Sequence, residues 1–211
     1  MVIRDTLDLA AHGPVIPVIV IDDAADAVPL ARALVEGGVR VLEVTLRTPA
    51  ALAAIAAIAR EVPDAIVGAG TVCSAADARA ALDAGAQFAV SPGYTADLGA
   101  ACRRIGLALL PGAVTASEVM VAMADGLQFV KFFPAEAAGG VALLKSLAGP
   151  FPGMRFCPTG GLTPANAPAY LALPNVVVCG GSWLTPADAL RAGDWARITQ
   201  LARAACALRS A

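Results

Sequence analysis

Imidazole is almost absent from this chain: among its 211 residues His12 is the one histidine. A His-based metal centre or a Ser/His/Asp triad would have to rest on that single ring, so the sequence implies no metal, no cofactor and no such triad. Cysteine is sparse and odd in number, and Cys73, Cys102, Cys157, Cys179 and Cys206 form no C-x-x-C pair. That argues against a disulfide framework or a zinc site and for small buried thiols. Charge is scarce too, at 15% of residues against 58% hydrophobic, with a formal net charge of −2 and no block of one sign. Such a chain buries a large core, and neither nucleic acid nor an anionic membrane surface is an expected partner. Long unbroken apolar runs are missing despite a mean hydropathy of +0.70. The uncharged stretch 156–187 is interrupted by Pro158, Pro164, Pro168, Pro174 and Pro186, so no helix of roughly 20 apolar residues fits there. Near the start, Arg4, Asp5 and Asp8 stand where a signal peptide needs an apolar core. The expectation is a soluble, cytoplasmic protein.

What the chain does have is a unit repeated eight times. A short apolar, β-branched run ends in a polar or Gly/Pro cluster, and an Ala/Leu-rich helical segment follows. The runs are 15–21, 39–46, 65–71, 87–92, 108–112, 128–134, 155–160 and 176–180, and the helical segments begin near Asp23, Pro49, Ser74, Thr95, Thr115, Gly140, Pro164 and Pro186. Start signals mark several of them: Thr48-Pro49, Ser74, Thr115 with Glu118 three residues on, Thr163-Pro164 and Thr185-Pro186. Strands alternating with helices mean right-handed crossovers and a parallel sheet, and eight consecutive units predict one closed (β/α)8 barrel domain over 1–211. The competing doubly wound sheet would carry a Gly-rich loop after its first strand, whereas Ile21-Asp22-Asp23-Ala24 stands there. Residues 194–209 read as a final amphipathic helix, and residues 4–11 as a short helix capping the barrel base.

In this fold function gathers at the C-terminal ends of the strands. On the second strand Leu42, Val44 and Leu46 share the face that suits helix packing, which sends Glu43, Thr45 and Arg47 inward. A carboxylate and a guanidinium inside a barrel are costly unless paired or used. Spaced four apart, they stand roughly 13 Å from each other along a strand and do not pair directly. On the sixth strand Lys131 sits among Phe129, Val130, Phe132 and Phe133, and the other lysine of the chain is Lys145, on a helical segment. Desolvation favours the neutral amine, the form that attacks a carbonyl to give an imine. The plainer alternative is a lysine that binds phosphate or a carboxylate as a point charge. Strands 2 and 6 face each other across an eight-stranded barrel and share side-chain layers, so Glu43 and Lys131 are expected to meet near the top. After strands 7 and 8 come Thr159-Gly160-Gly161 and Gly180-Gly181-Ser182. These are plain turns, or exposed backbone N–H groups at the corner where barrels commonly hold phosphate.

Taken together, the motifs PVIPV at 14–18, VLEVTLRT at 41–48, VGAGT at 67–71, SPG at 91–93, PG at 111–112, VKFFPA at 130–135, FCPTGG at 156–161 and GGSW at 180–183 resemble the family of 2-dehydro-3-deoxyphosphogluconate (KDPG) and 2-keto-4-hydroxyglutarate aldolases. The resemblance implies a class I, metal-free aldol cleavage of a small phosphorylated keto acid to pyruvate and glyceraldehyde 3-phosphate in the Entner–Doudoroff pathway. It implies that Lys131 forms the imine and Glu43 shuttles protons. It also implies that Arg47 and Thr71 hold the pyruvyl carboxylate, that Pro92, Phe133 and Thr159 line the pocket, and that Gly160, Gly161, Gly181 and Ser182 bind the phosphate. A homotrimer is implied as well, and glyoxylate as a further aldehyde partner. The alternatives are an aldolase for the C4 epimer (KDPGal), a metal-dependent aldolase, and a phosphosugar-binding barrel with no aldolase activity.

Overall fold

A computed structural model describes residue 3 and residues 5–209, the last of these in its backbone alone. Eight parallel strands alternate with helices: β1 Val15–Ile19, β2 Val41–Thr45, β3 Ile66–Gly70, β4 Phe88–Val90, β5 Ala108–Leu110, β6 Phe129–Phe132, β7 Arg155–Pro158 and β8 Cys179–Gly181. The helices are α1 Ala27–Glu36, α2 Ala51–Glu61, α3 Ala75–Asp83, α4 Ala96–Ile105, α5 Ala116–Ala124, α6 Ala135–Ala138, α7 Gly140–Ala148, α8 Ala167–Leu171, α9 Ala187–Ala192 and α10 Trp195–Cys206. Continuous ladders run β5-β4-β3-β2-β1-β8 and β6-β7. Single bridges close the ring between them, Gly112 with Lys131 on one side and Phe156 with Val176 and Thr159 with Gly180 on the other. The result is an α/β barrel, as the repeat predicts.

Alternation along the strands sorts the core into an outer and an inner layer. Ile19, Leu42, Val44, Val67 and Ala69 point outward onto Leu30, Leu34, Ile55 and Ile58 of α1 and α2. Val130, Phe132 and Phe156 point outward beneath Leu144, Leu147 and Tyr170. Inside the barrel, Ile16, Val41, Ile66, Phe88, Leu110, Phe129 and Val178 form a separate apolar plug with Ile3 and Leu9. Leu9 belongs to a 3-10 helix, Thr6–His12. The expected capping element is thus present, with 3-10 rather than α geometry, and its predicted start at residue 4 lies outside the described residues. A plug that fills the lower barrel leaves only the upper end for polar groups.

Helix starts follow the local chemistry. Thr115 and Glu118 make the reciprocal capping box, and Ser74 and Thr95 cap α3 and α4 through their hydroxyls. Thr48 behaves differently from its expected role: its hydroxyl donates to the Ile21 carbonyl and ties the segment after β2 to the one after β1 rather than capping α2, which has no side-chain cap. The eighth strand lies later than 176–180. Val176 makes one bridge only, while Gly181 pairs with Pro17 of β1. Helix α8 begins at Ala167 and not at Pro164, because Thr163 and Asn166 first close a turn through their side chains. The short helix α6 was not expected from the pattern. No described helix is long and apolar enough to cross a membrane.

Candidate active site

Lys131 and Glu43 meet inside the upper barrel. Lys131 Nζ donates to Glu43 Oε1 at 3.0 Å, and the two side chains are 5% and 4% exposed. Side-chain alternation explains the meeting: β2 and β6 both send their odd-numbered residues inward, and the hydrogen bond spans the barrel between them. Two neighbours make room. A Cβ on Gly70 would lie 2.4 Å from Glu43 Oε1, so the bare backbone of β3 is the surface on which the carboxylate rests. Cys157 is the ladder partner of Lys131 on β7. Burial pushes its thiol up to about 12, against the opposing pull of Lys131 and of the Thr159 hydroxyl. It therefore stays a neutral, small neighbour beside the amine. Backbone bonds fix Lys131 itself: its N–H donates to the Pro111 carbonyl and its carbonyl accepts from Ala113, both at 2.8 Å. The Phe133 ring centroid lies 5.4 Å from Nζ, within cation–π range.

The pair opens onto a cavity of about 120 Å³ lined by Val18, Arg47, Lys131, Phe133, Thr159, Gly160, Gly161, Leu162, Gly180, Gly181 and Ser182. Liquid water takes roughly 30 Å³ per molecule, so the space suits a keto acid of a few heavy atoms. A second cavity of about 540 Å³ adjoins it and shares Val18 and Ser182. Seven residues predicted for the site converge here with Lys131. Arg47 is exposed at the mouth, beyond the end of β2, and so is not the buried guanidinium that strand alternation predicts; of the two charged residues Glu43 alone is buried. Arg47 Nε donates to Thr71 Oγ1 at 3.2 Å, which brings the predicted pair together. Thr71 has φ +61, a left-handed conformation that costs a β-branched residue roughly 1–3 kcal/mol and turns its hydroxyl toward Arg47. Pro92 and Thr71 stand outside the lining of the small cavity. The Pro92 carbonyl lies against Gly112, where a Cβ would come within 2.1 Å.

One wall of the cavity is a set of backbone amides. The carbonyl of Thr159 accepts from Ala135 N (2.8 Å), that of Gly160 from Glu136 N (3.1 Å) and that of Gly161 from Asn166 Nδ2 (3.1 Å). In a trans peptide the N–H points opposite to the C=O. The N–H groups of Gly160, Gly161 and Leu162 are therefore directed away from those donors; that of Gly160 faces Gly180 across the β7-β8 bridge, and no described residue accepts a hydrogen bond from those of Gly161 and Leu162. Gly160 and Gly161 have φ +101 and +78, which glycine adopts freely, and successive amides so arranged make an anion-binding concavity. Gly180 completes the corner: its missing Cβ leaves space for Thr159 Oγ1, 2.1 Å from where that atom would sit. Val18, Gly70 and Leu162 are site residues that sequence reasoning did not single out. Nothing polar marks Val18 or Leu162, while Gly70 carries the signal of a glycine inside a strand. Among the described residues no group of three His, Cys, Asp or Glu side chains could hold a metal ion.

An amine paired with a carboxylate, set beside an anion cradle, is a site for carbonyl chemistry on an anionic substrate. The family model described as KDPG and KHG aldolase matches residues 7–201. The KHG/KDPG aldolase of Escherichia coli (strain K12) is 60% identical over 193 residues, 92% of this chain and 91% of that protein. A crystal structure of KDPG aldolase from Legionella pneumophila, with pyruvate captured as a covalent carbinolamine intermediate, superposes with a TM-score of 0.94 at 46% identity, over 96% of this chain and 98% of the other. The crystal structure of the Zymomonas mobilis ZM4 aldolase with 3-phosphoglycerate gives 0.92 at 52% identity, over 98% and 97%. The chain belongs to the KDPG and KHG aldolase family.

Proposed function

We infer that this protein is an aldehyde-lyase that cleaves 2-dehydro-3-deoxy-6-phospho-D-gluconate (KDPG) to pyruvate and D-glyceraldehyde 3-phosphate, the Entner–Doudoroff cleavage step. The observation that carries the reading is the buried Lys131–Glu43 pair at 3.0 Å, opening on a cavity with amides on its wall. In the proposed mechanism Glu43 takes a proton from the Lys131 ammonium along their hydrogen bond. The free amine attacks C2 of the substrate, and the proton goes to the carbonyl oxygen, giving a carbinolamine. Loss of water leaves a protonated imine. Glu43, again a carboxylate, removes the C4 hydroxyl proton. The C3–C4 bond breaks, its electron pair flows into the imine to form an enamine, and glyceraldehyde 3-phosphate departs. Protonation at C3 and hydrolysis release pyruvate and restore the amine. Arg47 and Thr71 are proposed to hold the pyruvyl carboxylate, Pro92, Phe133 and Thr159 to shape the pocket, and Gly160, Gly161, Gly181 and Ser182 to take the phosphate. The carbinolamine in the Legionella relative and the phosphorylated ligand in the Zymomonas relative support these roles.

The same enamine is proposed to accept glyoxylate, in keeping with the two-substrate description of the Escherichia coli relative. A homotrimer in the cytoplasm is proposed on the family resemblance. A coupled assay of pyruvate release tests the activity. KDPG turns over, activity survives EDTA, and Lys131→Ala abolishes it. Turnover of KDPGal in place of KDPG, or loss of activity with chelator, overturns the assignment.

A further inference from the structure

Beside the amide wall lies a polar pair, the buried Tyr170 and the solvent-exposed Glu136, that the reaction does not use. Tyr170 of α8 is 1% exposed, and its phenol donates to Glu136 Oε1. Glu136 lies directly against the wall: a Cβ on Gly161 would sit 2.7 Å from Glu136 Cγ, and the Glu136 N–H is the group that holds the Gly160 carbonyl. A carboxylate has the wrong sign for this place. Left free, it would repel a phosphoryl group and compete for the amides that the group needs. The phenol fixes one carboxylate oxygen on the protein side. Burial, then the carboxylate itself, raises the Tyr170 ionisation above the usual tyrosine range, so the phenol stays a donor at neutral and mildly alkaline pH.

We propose that Tyr170, acting through Glu136, is a positioning residue for the amide wall of Gly160–Leu162 and sets affinity for phosphorylated substrates without entering the imine chemistry. This rests on the reading of that wall as the phosphate site. Steady-state kinetics on KDPG and the rate of borohydride labelling by pyruvate, which has no phosphate, test it with Tyr170→Phe, Glu136→Gln, the double variant and Ser182→Ala. A carboxylate freed beside the phosphoryl group costs about tenfold in its affinity. Tyr170→Phe therefore raises KM for KDPG by about tenfold, with kcat changed less than about threefold and pyruvate labelling unchanged. Glu136→Gln, whose amide oxygen still accepts from the phenol, keeps KM near the wild-type value. The double variant recovers most of the loss, because the repelling charge is gone. Pyruvate labelling that falls together with kcat/KM in Tyr170→Phe shows a merely structural residue and overturns the proposal. So does an unchanged KM in Tyr170→Phe while Ser182→Ala raises it. If both variants leave KM unchanged, the phosphate reading of the wall fails and this inference fails with it.

Discussion

Glu43 and Lys131 carry opposite charges into a space that neither could enter alone at small cost. Removing one partner of such a pair leaves an unpaired buried charge and destabilises by about 3–5 kcal/mol, whereas replacing both with apolar groups is often neutral. Glu43→Leu is therefore expected to lower the unfolding free energy by that amount, and Glu43→Leu with Lys131→Met to recover more than half of it, measured by urea unfolding as a double-mutant cycle. A full, additive loss in the double variant would mean that the two charges are not coupled. Glu43 was legible in the sequence because alternation on β2 forced a carboxylate inward. Arg47 obeyed the same alternation on paper but lies past the last residue of the strand, Thr45. Strand period says nothing about where a strand stops. Gly70 stayed without a role because a glycine announces only that something comes close, and here that something is Glu43, 27 positions away in sequence.

At the scale of elements, local chemistry decides where helices begin, and it was the most legible layer. The Thr115–Glu118 box on α5 is readable from two residues, and both of its hydrogen bonds are present. Backbone N–H groups of Thr115 and Val114 hold the Glu118 carboxyl below the usual carboxylate range. A carboxyl lowered on folding adds stability above its unfolded value, and that stability is lost as pH falls through the folded one. Glu118→Ala is expected to cost about 1 kcal/mol at neutral pH, and the difference from wild type should shrink toward zero in acid. Urea unfolding at about pH 7 and about pH 3 measures it. A difference independent of pH would place its origin in helix propensity instead. Thr48 and the eighth strand were misplaced because both depend on β1: the hydroxyl of Thr48 goes to Ile21, and Gly181 finds its pair in Pro17. A run of sequence does not contain its partner strand.

For the molecule as a whole, eight repeats predicted a barrel and the chain closes as one. Closure rests on single bridges at both flanks of the β6-β7 pair, a detail that no periodicity encodes. The upper barrel is polar because the lower half is filled by Phe88, Phe129, Leu9 and their neighbours. The proposed trimer is tested by its mass. Light scattering is expected to return the mass of three chains of 21.1 kDa, independent of dilution through the micromolar range; a monomer mass would remove the trimer. Above all, one amine of the two lysines is proposed to do the chemistry. Borohydride reduction in the presence of pyruvate, followed by peptide mapping, tests it most directly. A single stable adduct on Lys131, absent in Lys131→Ala, is expected. Labelling at Lys145, or no adduct at all, would contradict it.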